Sequence, residues 1–215
     1  MQQESVIWPE NARLAVSIVV NVEEGSEMSI IRGDKGMEPV DELGVFVKAP
    51  IRNYGNESNY LYGIKSGAPR VIELLKQFDL PATWTVAAQS LESSPELAKA
   101  IRDSDHEPCS HGYRWIHQYK MDENEEREFI LNATNSIKTT CGRRPVGWLS
   151  RYLHTENTRR LLVEAGYKYH MDDYSGDVPF IDSEHPELVV VPYQLDTNDM
   201  KLWLNAGYTP DMWLK

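Results

Sequence analysis

Apolar side chains along this chain fall into short dense runs, separated by polar stretches with a helical period, and that alternation predicts the architecture. Residues 14–21 (LAVSIVVN) form a nearly unbroken β-branched run, as in a strand covered on both faces. The run leads into acid: Glu23, Glu24 and Glu27 follow it. Residues 25–59 are rich in Gly, Asn and charge and show no period, which predicts a long loop, of the kind that in compact domains serves function or moves. From Ser66 the apolar positions Val71, Leu74, Leu75 and Phe78 repeat helically and stop before Leu80-Pro81; residues 82–87 (ATWTVA) are the next strand. Ser94-Pro95 starts a helix, with Pro in its first turn, that runs to about Arg102. Residues 106–111 are a short strand ending on His111.

Met121-Asp122 opens a helix whose first turns carry Asp122, Glu123, Glu125 and Glu126, where the helix dipole favours anions. Strands over 146–149 and 167–171 flank a helix over 155–165 that Gly166 closes, and 188–193 (LVVVPY) is a sixth strand. Thr209-Pro210 reads as one more helix start. Strands alternating with helices, without internal repeats, predict a parallel α/β barrel or doubly wound sheet. Six strands do not close a barrel. The expectation is therefore one domain over residues 1–215, a barrel lacking its last strand and helix and leaving sheet edges open.

Composition narrows the class. With 215 residues, 41% hydrophobic and 26% charged, the chain matches a globular domain able to bury a core. A net charge of −11 favours solubility and weighs against nucleic acid or anionic membrane surfaces as partners. No apolar run approaches a membrane span, and residues 1–10 carry no secretion signal. Cys109 and Cys141 are too few for a disulfide framework and point to a reducing compartment, so a cytoplasmic location is expected.

In parallel α/β folds chemistry gathers at the carboxyl ends of strands. By that rule the first strand delivers Asn21, Glu23 and Glu24, the third His111, the fourth Ser150 and Arg151, the fifth Asp172 and Asp173 with Asp177 beyond, and the sixth Asp196, Asn198 and Asp199. Acids, a histidine and an arginine converging on one mouth suit hydrolysis or proton transfer. Plainer readings stand beside each: solvated acids for Glu23 and Glu24, a structural histidine for His111, and an ion pair of Arg151 with Glu156 or Asp172. Trp115 and Trp148 read first as packing, and His117 and His154 as surface residues. No phosphate-binding Gly loop and no nucleophile elbow is present, and nothing nearby would activate Ser150.

The segment Ser110-His111-Gly112-Tyr113-Arg114-Trp115-Ile116-His117 looks like a metal site short of a ligand. Histidines that share an ion from one helical face sit three or four apart. Here Trp115 occupies the fourth position after His111, and His117 at the sixth lies roughly 600° around a helix, on another side.

With these residues assembled, the chain resembles the polysaccharide deacetylase superfamily, and within it the metal-independent allantoinase-like branch. The segments that carry the resemblance run from Trp8 to Lys215: WPENARLAVSIVVNVEEGSE (8–27), GNESNYLYG (55–63), LPATWTVA (80–87), SHGYRWI (110–116), RRPVGWLSR (143–151), DDYSGDVPF (172–180) and VPYQLDTNDM (191–200). The resemblance implies a distorted (β/α) barrel of the polysaccharide deacetylase type. The metal-dependent members use an acidic motif whose second acid binds the ion, followed by a His-x-x-x-His pair. Carried over, their base falls on Asn21, their metal acid on Glu23 and their second histidine on Trp115. Asparagine is no general base, and Glu23 with His111 makes two of three protein ligands. The family's histidine on its last strand has no counterpart in these residues.

What the resemblance implies is metal-independent opening of a cyclic amide such as allantoin, with no cofactor. Glu23 or Glu24 would orient or deprotonate water, His111 would assist proton transfer, and Arg151 or Asn21 would fix carbonyl oxygens. Glu57, Tyr60 and Tyr62 from the long loop would close over a small polar substrate, with Trp115, Asp172, Asp177 and Asn198 also against it. Zinc enters only under the alternative, N-deacetylation of an amino sugar or polysaccharide. A third reading is a non-catalytic family member. The resemblance also implies a homo-oligomer.

Overall fold

The computed structural model describes residues 7–40, 44, 49–205 and 207–215. Among them, seven strands form one sheet in the order β1-β2-β3-β4-β5-β7-β6: β1 Val19–Val22, β2 Thr83–Val86, β3 Glu107–Ser110, β4 Gly147–Trp148, β5 Tyr169–His170, β6 Phe180–Ile181 and β7 Val189–Val190. All neighbours pair in parallel except β6, which runs antiparallel to β7 at the edge. The sheet does not close: β1 and β6 are its two edges. The helices are α1 Tyr54–Tyr62, α2 Ala68–Gln77, α3 Ala88–Glu92, α4 Pro95–Arg102, α5 Glu123–Cys141, α6 Thr158–Glu164 and α7 Pro210–Leu214. α3, α4 and α6 all pack on α5.

α5 is the longest element, and local chemistry sets its ends. Asp122 accepts from the backbone N–H groups of Asn124 and Glu125 (2.9 Å each), while the Glu125 carboxylate accepts from Asp122 N–H at 2.9 Å. Gly142 stops the helix in the left-handed conformation, φ 68°. Its inner face buries Phe129, Ile130, Ala133 and Ile137 against Trp84, Ile101, Trp148, Leu162 and Tyr167. Trp148 meets Tyr167 edge-on, centroids 5.5 Å apart, and packs against Phe129 in the same way. One glycine is required for this packing: a Cβ on Gly147 would overlap the Tyr169 ring on the neighbouring strand.

The elements differ from the sequence expectation in three places. The first strand begins at Val19, not at residue 14, because its partner β2 begins only at Thr83; Leu14 and Val16 lie exposed beyond the pairing. The aperiodic stretch 25–59 holds a 3-10 turn at Ile30–Arg32 and the start of α1, which continues through a π-helical turn, Gly63–Gly67, into α2. Finally, β6 makes a seventh strand where six were expected. Its two residues are both exposed, so they leave no alternation to read.

Candidate active site

The parallel strands turn their carboxyl ends to one side, and side chains just past those ends line a cavity of about 340 Å³, a size suited to a small molecule. β1 supplies Asn21 and Glu23, β3 supplies His111, β4 leads to Ser150 and Arg151, and β7 leads to Tyr193.

His111 is held at both ring nitrogens. It is buried, its Nδ1 lies 2.6 Å from the Leu149 carbonyl oxygen, and its Nε2 lies 3.3 Å from Oε1 of Glu23. A carbonyl only accepts, so Nδ1 carries a hydrogen. A neutral ring would then turn a lone pair at Nε2 toward a carboxylate lone pair. A proton on either group joins them in a hydrogen bond, so the pair is built to pass a proton between Nε2 and Oε1.

Glu23 and Glu24 face different surroundings. Glu23 lines the cavity. Glu24 turns away toward the π-helical turn, where a Cβ on Gly63 would overlap its carboxylate, and it accepts the Glu23 backbone N–H at 3.1 Å. Burial, with repulsion from Glu23 and Glu27, pushes the Glu24 carboxyl up to about 7. A carboxyl raised in the folded state holds its proton there while the unfolded chain has released it, so stability falls as pH rises between about 4.5 and 7 and levels off above. Glu24→Gln is therefore expected to raise the melting temperature at pH 8, by an amount corresponding to about 1–3 kcal/mol, and to change it little at pH 4.5. Thermal unfolding across pH checks this; a wild-type-like slope in the variant would assign the effect elsewhere.

Arg151 does not pair with Glu156 or Asp172, as the sequence suggested. Both ends of its guanidinium meet the Glu38 carboxylate, one at 3.0 Å, with side chains only 2% and 1% exposed. Nη1 also donates to the Trp115 carbonyl at 2.8 Å, and the guanidinium stacks 3.6 Å from the Trp115 ring centroid. With both Nη atoms engaged, Arg151 is held as a clamp at the edge of the cavity it lines. A second fork, Arg114 on Asp34 (2.9 and 2.6 Å), also donates to the Glu27 carbonyl, so two arginines stitch the loop after β1 to the loops after β3 and β4.

The remaining expected residues divide. Trp115 and Asn198 line the cavity with Asn21, Glu23, His111 and Arg151. Asp172 is buried beside it and accepts the Ser150 backbone N–H at 2.7 Å. Asp177 is exposed and does not line the cavity. Glu57 pairs with Arg52 at 2.6 Å, and Glu57 and Tyr60 line a separate, smaller hollow; Tyr60 is buried, packs on Trp115 and donates to the Val40 carbonyl. Tyr62 is exposed and accepts from Arg70. His117 is partly buried and reaches the Arg151 carbonyl through Nδ1 at 3.0 Å. Sequence reasoning missed Glu38, Tyr193, Tyr152 and Tyr174. Glu38 sits in an aperiodic stretch with no signal, whereas Tyr193 closes the LVVVPY run and the strand-end rule could have found it.

The donor set does not fit a protein-held metal of the deacetylase pattern. Glu23 and His111 are together, Trp115 stands at the third position, and among the described residues no group of three His, Cys, Asp or Glu is placed to hold an ion.

A parallel sheet with a carboxylate–histidine pair and a small cavity at its carboxyl ends defines an α/β fold with a mouth of hydrolytic type. The polysaccharide deacetylase family model matches residues 59–170, and this chain belongs to that family. It is 30% identical to a polysaccharide deacetylase-family protein of Schizosaccharomyces pombe, covering 94% of this chain and 69% of the relative. It is 29% identical to the peptidoglycan deacetylase of Helicobacter pylori, covering 74% and 57%. The crystal structure of Puue allantoinase superposes with a TM-score of 0.86 at 39% identity, covering 94% of this chain and 68% of that one. The seven-stranded, unclosed sheet matches the (β/α) barrel of these neighbours. Among the described residues no helix is long and apolar enough to cross a membrane.

Proposed function

We propose that this protein hydrolyses a carbon–nitrogen bond in a small ring amide of the allantoin type, without a metal. The observation that carries the reading is the 3.3 Å contact of His111 Nε2 with the Glu23 carboxylate in a cavity of small-molecule size, with Trp115 where a second histidine ligand would stand. The 39% identity to Puue allantoinase supports the same substrate class.

In this reading Glu23, as carboxylate, takes a proton from a water that attacks the ring carbonyl carbon. The new C–O bond forms as the carbonyl oxygen becomes an oxyanion. His111, as imidazolium, then gives a proton to the ring nitrogen as the C–N bond breaks, and the ring opens to a carboxylic acid and an amine-side product. The reciprocal exchange leaves the pair with the same single proton it began with. The metal-dependent alternative, removal of an acetyl group from an amino sugar, is supported by family membership and by the Helicobacter pylori relative.

Allantoin ring opening assayed after exhaustive chelation separates these. Retained turnover with substoichiometric metal is expected. Stoichiometric zinc, with chelator-sensitive deacetylation of N-acetylglucosamine oligomers, would replace this reading by the alternative; inactivity on both would leave a binding role. Two buried free thiols, Cys109 and Cys141, support a reducing, cytoplasmic setting. The β1 and β6 edges, unpaired among the described residues, support self-association into a homo-oligomer.

A further inference from the structure

Ring-amide hydrolysis needs a donor on the carbonyl oxygen, and the groups first expected to supply one are each tied to protein partners. Both terminal nitrogens of Arg151 are engaged by Glu38 and the Trp115 carbonyl, and its Nε, which has no partner among the described residues, is buried. The Asn21 amide nitrogen donates to Tyr193 Oη at 3.3 Å, and so does that of Asn198, also at 3.3 Å. The opposite side of each amide is fixed as well: Asn21 Oδ1 accepts from the Thr85 hydroxyl, and Asn198 Oδ1 from the Lys201 backbone N–H at 3.1 Å. Each amide thus turns one of its two N–H groups onto the same phenol oxygen.

Resting on the ring-amide reading, we infer that the Tyr193 hydroxyl is the donor that holds and polarises the substrate carbonyl. Its oxygen receives two N–H groups, and its own hydrogen has no acceptor among the described residues, so that hydrogen is free for a substrate. The ring is held from behind by the cluster of Cys109, Leu149 and Met171, and the Tyr193 backbone N–H donates to the Asp173 carbonyl at 2.9 Å. A donor fixed before substrate arrives is what stabilisation of a developing oxyanion requires. Placement agrees. Tyr193 Oη is tied to Asn21, and Asn21 lies two residues before Glu23, on the same face of the chain in extended geometry and roughly 6.5 Å along it. A carbonyl between them would have its oxygen toward Tyr193 and its carbon toward the water held at Glu23. Tyr152 and Tyr174 also line the cavity, but both are more than half exposed and no hydrogen bond orients them. Ser150, which also lines the cavity, is the competing donor: its Oγ accepts the Trp148 indole N–H at 2.8 Å and keeps its own hydrogen, and the Ser150→Ala variant tests it.

The test uses the full chain as wild type, Tyr193→Phe, Ser150→Ala and Glu23→Gln, with hydantoin and allantoin as probes. Turnover is measured alongside equilibrium binding and the ¹³C shift of the bound probe's carbonyl. Tyr193→Phe keeps the packed ring and is expected to lower kcat by about 10²-fold, with KM changed less than about threefold, and to move the bound carbonyl shift upfield. Ser150→Ala should leave that shift in place. If wild type turns over and Tyr193→Phe matches it, or if Ser150→Ala alone moves the shift, the Tyr193 assignment is overturned while ring-amide hydrolysis stands. If wild type binds hydantoin without turnover and only Tyr193→Phe moves the shift, the assignment stands and the hydrolytic reading falls. Absence of both binding and turnover overturns both.

Discussion

Glu23→Gln is expected to reduce ring-opening turnover by about 10³-fold while leaving the fold and the melting temperature near those of the wild type. Glutamine keeps the volume of the side chain and can still meet His111 Nε2, 3.3 Å from the present carboxylate oxygen, but it cannot accept a proton from water. General acid–base groups typically contribute about 10²–10⁴-fold, and this pair would supply both the base and the acid. His111→Ala should cost about as much, because it removes the acid that protonates the leaving ring nitrogen. Since the two act as a unit, the double variant should be little worse than either single one. Steady-state kinetics on the three proteins, with thermal unfolding as the control for integrity, is the measurement. Turnover in Glu23→Gln within about tenfold of wild type would remove the dyad from the chemistry.

That expectation rests on residues the sequence could place only in part. The strand cores were legible because dense β-branched runs such as 14–21 and 82–87 have few other uses, and the strand-end rule then put Asn21, Glu23 and His111 at one mouth. Between Glu23 and Glu24 it could not decide. Adjacent residues leave an extended chain on opposite faces, so one of two neighbouring acids enters the cavity and the other turns away, but which one depends on the strand's register and on the helix that covers Glu24. Glu38 was invisible for a different reason. Its role comes from a contact with Arg151, 113 residues away, made by a stretch whose own sequence has no period. Glu57 illustrates the converse: it looked like a substrate contact from the long loop, yet α1 begins at Tyr54 and directs it to Arg52 instead. Long-range charge pairing and helix register decide these cases, and neither is written in local sequence.

Breaking the Arg151–Glu38 pair is expected to cost about 3–5 kcal/mol, the largest stability effect at this site. The side chains are 2% and 1% exposed, so removing either partner strands the other's charge without water to solvate it. For a chain of this size that corresponds to a fall in melting temperature of roughly 6–20 °C. Arg151→Met should show it, and Glu38→Leu should show it to a similar degree. The pair variant carrying both changes should recover most of the loss, since apolar side chains of similar volume remove both charges and their desolvation together. Turnover should not recover with stability. Arg151 also donates to the Trp115 carbonyl and stacks on the Trp115 ring, which lines the cavity beside His111, and a methionine at 151 restores neither contact. Chemical and thermal unfolding of the four proteins, with kinetics on the same samples, separates the two roles. Single variants that each cost less than about 1 kcal/mol would mean that the loop after β1 is held by Arg114 and Asp34 alone. Recovered stability without recovered turnover would identify the buried pair as a device for holding Trp115 in place, with its net contribution to folding close to zero.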